Sequence, residues 1–305
     1  FGVPAMLATM AVTGVLRGFQ DTRTPLVVTV ITFSLNLVLN LWFVLGMGWG
    51  IEGSAIGTLI CQIAMAVALV WVLWRRTHGL DLSLVPHWGG IASSLRDGIP
   101  LLIRTLALRA ALYVTTWVAA RAGAITMAAY QVTMTIWNLL LMTMDALGIA
   151  GQALTGASLG AGDIRRTRLL TGTMTRWGVW AGVVIGALLA ASHQLVPAIY
   201  TNDPAVHRAV AAGLLVVAVE QVIAGPAFIL DGVLIGAGDG RWLSRAQVVM
   251  FLVYLPMAWA VHLWAPADPA AAVVWLWIAF GGFMAVRCGI LAWRAHGDAW
   301  MRTGA

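Results

Sequence analysis

The sequence contains no lysine: all 18 of its lysine-plus-arginine positions are arginine. Charged residues of either sign make up 10% of the 305, where a soluble domain carries about 25%, so a water-facing surface of ordinary size is excluded. There are two cysteines, Cys61 and Cys288, both inside apolar stretches. They lack the density of a disulfide scaffold and the spacing of a metal site. No Ser-His-Asp set, HExxH or CxxC motif occurs, and the six histidines are scattered, with His193 and His262 near helix ends. These absences leave an enzyme reading without support, and no metal or organic cofactor is expected. The glycine-rich stretch at 156–170 lacks the GxGxxG spacing and a surrounding βαβ unit, which excludes a dinucleotide loop. The chain opens Phe1-Gly2-Val3-Pro4, without an initiator methionine or the basic start of a signal peptide. It therefore reads as a fragment lacking its N-terminal part.

What is present is apolar. Hydrophobic residues reach 61% and the mean hydropathy is +0.88. Runs of roughly 20 residues are apolar all round, the length that crosses about 30 Å of hydrocarbon as a helix. Spans are predicted at 25–48, 51–75, 99–121, 126–150, 173–196, 206–231, 243–264 and 270–293, with residues 1–16 as the tail of one more. The fold class is an all-α polytopic membrane protein of about nine helices, the first partial. One connection is long and polar, RRTHGLDLSLVPHWGG. It divides the chain into the end of an N-lobe (1–76), a cytoplasmic inter-lobe linker (77–98), a C-lobe of six helices (99–296) and a cytoplasmic tail (297–305).

Two polar turns nearly repeat each other: GVLRGFQDTRTPL at 14–26 and GVLIGAGDGRWLS at 232–244, a separation of 232 − 14 = 218 residues. Six spans lie between them, an even number, so the chain returns to the same membrane side with the same heading. The repeat is parallel, one of the two-lobe plans of secondary transporters. Gly18, Asp21 and Arg23 in the first copy and Gly236, Asp239 and Arg241 in the second read as structural turn residues, because Asp and Gly satisfy backbone groups and supply positive φ where helices reverse. The motif side carries 13 arginines, whereas the opposite loops carry only Arg121 and Arg208 together with Glu52, Asp203 and Asp268. Short cytoplasmic loops hold the basic excess, so the motif side is placed in the cytoplasm. The net charge of +6 follows from this topology and calls for no nucleic-acid partner.

These motifs, with LNLVLNLWFVLGMGWGIEGSAIGT, GASLGAGDIRRTRLL and ILDGVLIGAGDGRW in that order, resemble the multidrug and toxic compound extrusion (MATE) transporters, in particular the branch named for DNA-damage-inducible protein F. The resemblance covers essentially the whole chain. It implies twelve helices in two six-helix lobes, of which this chain would begin in the fourth. It also implies export of amphipathic, often cationic compounds from the inner or plasma membrane, driven by H⁺ or Na⁺ as the coupling ion, with a monomer in the bilayer. The alternatives are a lipid-linked oligosaccharide flippase of a related two-lobe plan, which should hold several arginines or lysines deep in its cavity, and an inactive truncated membrane protein.

Polar groups inside spans either bind helices together or mark a pathway. By resemblance, Asn36, Asn40 and Thr58 match the family's N-lobe cation or proton site, with Asn40 where many members carry Asp. An amide cannot carry a proton as a carboxylate does, and all three residues also suit plain interhelical hydrogen bonding. Met127, Met134, Met142 and Met144 read as packing residues or as a pliable ligand-contacting face. At about 1.5 Å per residue, Arg109 and Glu220 each lie about 15 Å deep, near the midplane, and Arg104 and Asp145 about 8 Å deep. Arg109 is expected to pair with Glu220, and Arg104 with Asp145. Glu220, Gln221 and Asp231, on one helix, are expected to face a C-lobe cavity.

Overall fold

A computed structural model describes residues 2–19, 21–78 and 88–301. The described chain is helical and divides into two compact units, 1–86 and 87–305. Residues 79–87 of the expected linker and 302–305 of the expected tail lie outside the described residues.

The first unit holds α1 (Val3–Gly18), α2 (Arg23–Asn40) and α3 (Gly50–Thr77). Both α1 and α2 pack on α3, with Val12, Leu16 and Leu69 at the contact. After Asn40 the helix continues for six residues, Leu41–Gly46, as a widened turn, in which the Met47 N–H reaches the Trp42 carbonyl at 2.9 Å. Such wide turns mark functional places in helices more often than chance.

The second unit holds α4 (Trp88–Arg121), α5 (Ala124–Gly160), α6 (Ile164–Ser192), the short α7 (Leu195–Tyr200), α8 (Pro204–Gly236), α9 (Gly240–Trp264) and α10 (Pro269–His296). Among the described residues, eight helices across the two units are long and apolar enough to cross a membrane. Local sequence starts and stops them. Asp203-Pro204 and Asp268-Pro269 open α8 and α10, each Asp capping backbone N–H groups and each Pro supplying the φ of a first turn. The GAGD turns end α5 and α8 alike: Gly162 and Gly238 both take φ +75°, and the N–H of the following aspartate returns to Ser158 and Leu234, a C-terminal closure that needs glycine at the left-handed position.

Helix α8 is the axis of this unit, buried on nearly every side and packed by α5, α6 and α10. Its approach to α6 uses a register the sequence reading overlooked. Gly178, Gly182 and Gly186 recur every four residues, and a Cβ at each would meet the backbone carbonyls of Gly225, Gln221 and Ala218. With no hydrophobic force between helices in lipid, such close backbone approach supplies the van der Waals contact that holds them.

The expected spans agree with the helices, which run further at most ends. Thus α4 begins at Trp88, so residues 88–98 of the expected linker are helical. Apolarity marks the hydrocarbon segment, whereas α4 runs on through the glycines and polar residues between Trp88 and Ile99. Within the expected tail, Trp300 is buried and its Nε1 donates to the Ala295 carbonyl at 3.2 Å.

Candidate functional site

In the first unit, α2 and α3 bring Asn36, Asn40 and Thr58 together. Asn40 Nδ2 donates to Asn36 Oδ1 at 2.9 Å, and Asn36 Nδ2 lies 3.4 Å from Thr58 Oγ1. The Thr58 hydroxyl in turn donates to the Ser54 carbonyl at 2.9 Å. Spacing of four residues puts both amides on one face of α2, and Gly57 leaves room for Asn40 against α3. Asn40 Oδ1 is buried and has no hydrogen-bond partner. A neutral acceptor oxygen therefore stands open beside the widened turn that follows Asn40.

In the second unit the ionisable residues fall into two sets along α8. Glu220 and Asp231 are eleven residues apart, three helical turns, and so share a face of α8. Asp231 is held by two arginines: Arg104 of α4 through both its Nε, at 3.2 Å, and a close NH2 contact, and Arg287 of α10 at 3.1 Å. Arg287 is 1% exposed and its guanidinium lies 5.0 Å from the Phe228 ring centre. Charged groups inside apolar helices usually pair in this way.

Glu220 stands apart from that cluster. It is buried, and one oxygen accepts from Trp137 Nε1 at 3.1 Å while Oε2 has no partner. Trp137 leads from it into a network of aromatic and hydroxyl groups. Trp137 meets Phe280 edge-on at 5.2 Å, Trp277 Nε1 donates to Thr133 Oγ1 at 2.9 Å, and Tyr254 OH bonds Thr115 at 2.6 Å. Tyr130, Thr133 and Trp137 occupy one face of α5 at i, i+3 and i+7, a spacing legible in YQVTMTIW though not read as a site.

Two expected pairings are corrected. Arg109 does not meet Glu220: its side chain is exposed. The reason is rotational, since α4 packs chiefly on α9 and position 109 lies about 140° around the helix from position 104. Arg104 forms its ion pair with Asp231 instead of Asp145, which is exposed. Gln221 is buried, but its amide reaches only the Val217 carbonyl, at 3.4 Å. The reading also missed Arg287, although a single arginine in the apolar run FMAVRCGILAW was a visible signal. The four methionines do not form one face: Met127 and Met134, seven apart, are partly buried on the same side, whereas Met144 is buried and Met142 exposed. At the repeated turns, Asp21 pairs with Arg76 and Asp239 with Arg294.

The MatE family model matches residues 100–260, more than half of the sequence. The chain belongs to the MatE family. It is 30% identical over 288 residues to Protein DETOXIFICATION 43 of Arabidopsis thaliana, covering 94% of this chain and 53% of that protein. It is 24% identical to DNA damage-inducible protein F of Escherichia coli, covering 96% and 64%. The MatE chain thus spans about half to two thirds of the length of these relatives. Its fold is similar to that of a Pyrococcus furiosus transporter of the MOP superfamily (TM-score 0.86, 19% identity, 99% of this chain and 68% of that one). An outward-facing multidrug resistance MATE transporter is similar to the same degree (TM-score 0.85, 19% identity, 97% and 67%). The family's members are transporters, and this one is a multi-pass membrane protein.

Proposed function

We propose that this protein is part of a secondary active exporter of amphipathic and cationic small molecules, working by alternating access as a monomer in the inner or plasma membrane and driven by inward proton flow. Glu220 carries the reading. A carboxylate midway along α8, with one oxygen unpartnered and only an indole N–H on the other, can take up and release a proton as access changes. A metal cation needs a shell of oxygen ligands, and the group bonded to Glu220 is an indole N–H donor, which favours H⁺ over Na⁺. The aromatic faces of Trp137, Trp277 and Phe280 suit amphipathic cations, which bind ring faces by their quadrupole. Asn40, Asn36 and Thr58 then serve as a neutral hydrogen-bonding site that does not itself carry the proton.

The flippase alternative requires deep basic groups available to a pyrophosphate. Arg104 and Arg287 lie deep, but both are committed to Asp231, which favours the exporter.

The test is Glu220→Gln in proteoliposomes with an imposed pH gradient and a fluorescent cationic dye. The variant should insert and fold, bind the dye, and lose the dependence of export on external pH. Unchanged export at every pH would overturn the assignment.

A further inference from the structure

Where α8 turns into α9, the ends of α5 and α10 and the Pro100–Leu101 segment of α4 enclose a cavity of about 790 Å³. We propose that this cavity binds a phosphate group, supplied by an anionic lipid headgroup or by a free phosphate, and that Arg245 is its principal ligand.

The charge balance of the lining points to an anion. Arg241, Arg245 and Arg294 line the cavity against a single acidic side chain there, Asp239, a formal balance of +3 − 1 = +2. Asp239 is already held by Arg294 at 2.7 Å. Arg241 has an interaction of its own, whereas Arg245 makes no ion pair or hydrogen bond among the described residues. Arg241 and Arg245 are one helical turn apart, so their guanidiniums leave α9 on the same side. Because the Asp239 carboxylate turns to Arg294, it makes no capping hydrogen bond to α9, and the first N–H groups of that helix lack a side-chain acceptor from it.

The walls give an anion room to approach. Among the glycines that line the cavity, Gly160 and Gly238 have nothing within 4 Å of their Cβ positions. The volume is within the range of small-molecule sites, about 300–1,000 Å³. Arginine forks match phosphate oxygens in pairs. The depth also suits a headgroup: Trp242 and the exposed Trp293 have ring centres 6.5 Å apart beside the cavity, and indoles collect at the membrane–water boundary. Basic pockets between helix ends at that level recognise anionic headgroups.

The experiment titrates the purified full chain in neutral detergent with dioctanoyl phosphatidylglycerol, dioctanoyl phosphatidylcholine and sodium phosphate, reading thermal stabilisation and bound mass by native mass spectrometry. One phosphatidylglycerol should bind in preference to phosphatidylcholine. Arg245→Gln should weaken binding about tenfold, the loss of about one charge-assisted contact, while Arg208→Gln, at the opposite helix ends, should leave it unchanged. Phosphate that binds alone and displaces the lipid identifies the free anion as the source; phosphate that does neither identifies the lipid. Equal binding of the two lipids without a phosphate response, or full affinity in Arg245→Gln, overturns the proposal. If the variant does not fold, salt decides: the wild-type affinity should fall as sodium chloride rises, and salt-independent binding overturns the proposal equally.

Discussion

Asp21 pairs with Arg76 at 2.6 Å, and Asp239 pairs with Arg294 at 2.7 Å. The two pairs have the same span, 76 − 21 = 294 − 239 = 55, and are offset by the 218 residues that separate the repeated turns. Each aspartate follows a helix end, and each arginine closes a helix two elements later. The parallel repeat is therefore preserved as an ion pair as well as a turn sequence. The copies differ at one position that changes the chemistry. Thr24 gives Asp21 two hydrogen bonds, from its N–H at 3.0 Å and its hydroxyl at 2.6 Å. The equivalent residue in the second copy, Trp242, lies beneath the Arg294 guanidinium at 5.1 Å.

The first copy should set an acid limit on stability. The Thr24 hydroxyl, its backbone N–H and the Arg76 charge hold the Asp21 carboxyl below the usual carboxylate range. A group lowered on folding stabilises the fold above its unfolded value, about 3.9, and that contribution is lost as pH falls through the lower folded value. Between pH 7 and pH 3, thermal unfolding of Asp21→Asn should lose less stability than wild type. Parallel pH curves for the two proteins would show that Asp21 contributes nothing.

Asp231 and Arg109 should behave oppositely on substitution. Asp231→Ala strands Arg287 in the core, and breaking a buried pair from one side costs about 3–5 kcal/mol. Arg109→Ala removes an exposed side chain that makes no ion pair among the described residues, and should stay within about 0.5 kcal/mol. Denaturant unfolding in detergent measures both, and a larger effect at Arg109 would mean that it has a partner after all.

Glycines of α6 should separate by position alone. Gly182→Val forces a branched side chain into the Gln221 carbonyl and should destabilise by at least about 1–3 kcal/mol. Gly172→Ala, with nothing within 4 Å of its Cβ position, should be neutral or stabilising by up to about 1 kcal/mol. Melting temperatures of the two variants in one detergent decide this, and equal values would mean that α6 and α8 are not in close contact.

Topology is tested with single cysteines in a background lacking Cys61 and Cys288. Positions 49 and 268 should label with an impermeant maleimide from outside intact cells, and positions 166 and 241 only after lysis. The reverse pattern would invert the orientation drawn from the arginines.

The helices, their order and the 218-residue repeat were legible in the chain itself, because each depends on a local quantity. Hydropathy over about 20 residues marks a span, and Asp-Pro and Gly-Asp pairs mark where helices start and stop. The Asn36–Asn40 hydrogen bond was legible for the same reason, since four residues in a helix fix both partners. Depth along a helix was equally computable from residue counts. Pairing across helices was not. It depends on the rotation of each helix about its axis, which neighbouring surfaces decide. The packing of α4 on α9 turned Arg109 outward and carried Arg104 to Asp231, and α10 brought Arg287, 56 residues along the chain, to the same carboxylate. The tertiary structure alone decided that Glu220 would be met by an indole instead of a guanidinium.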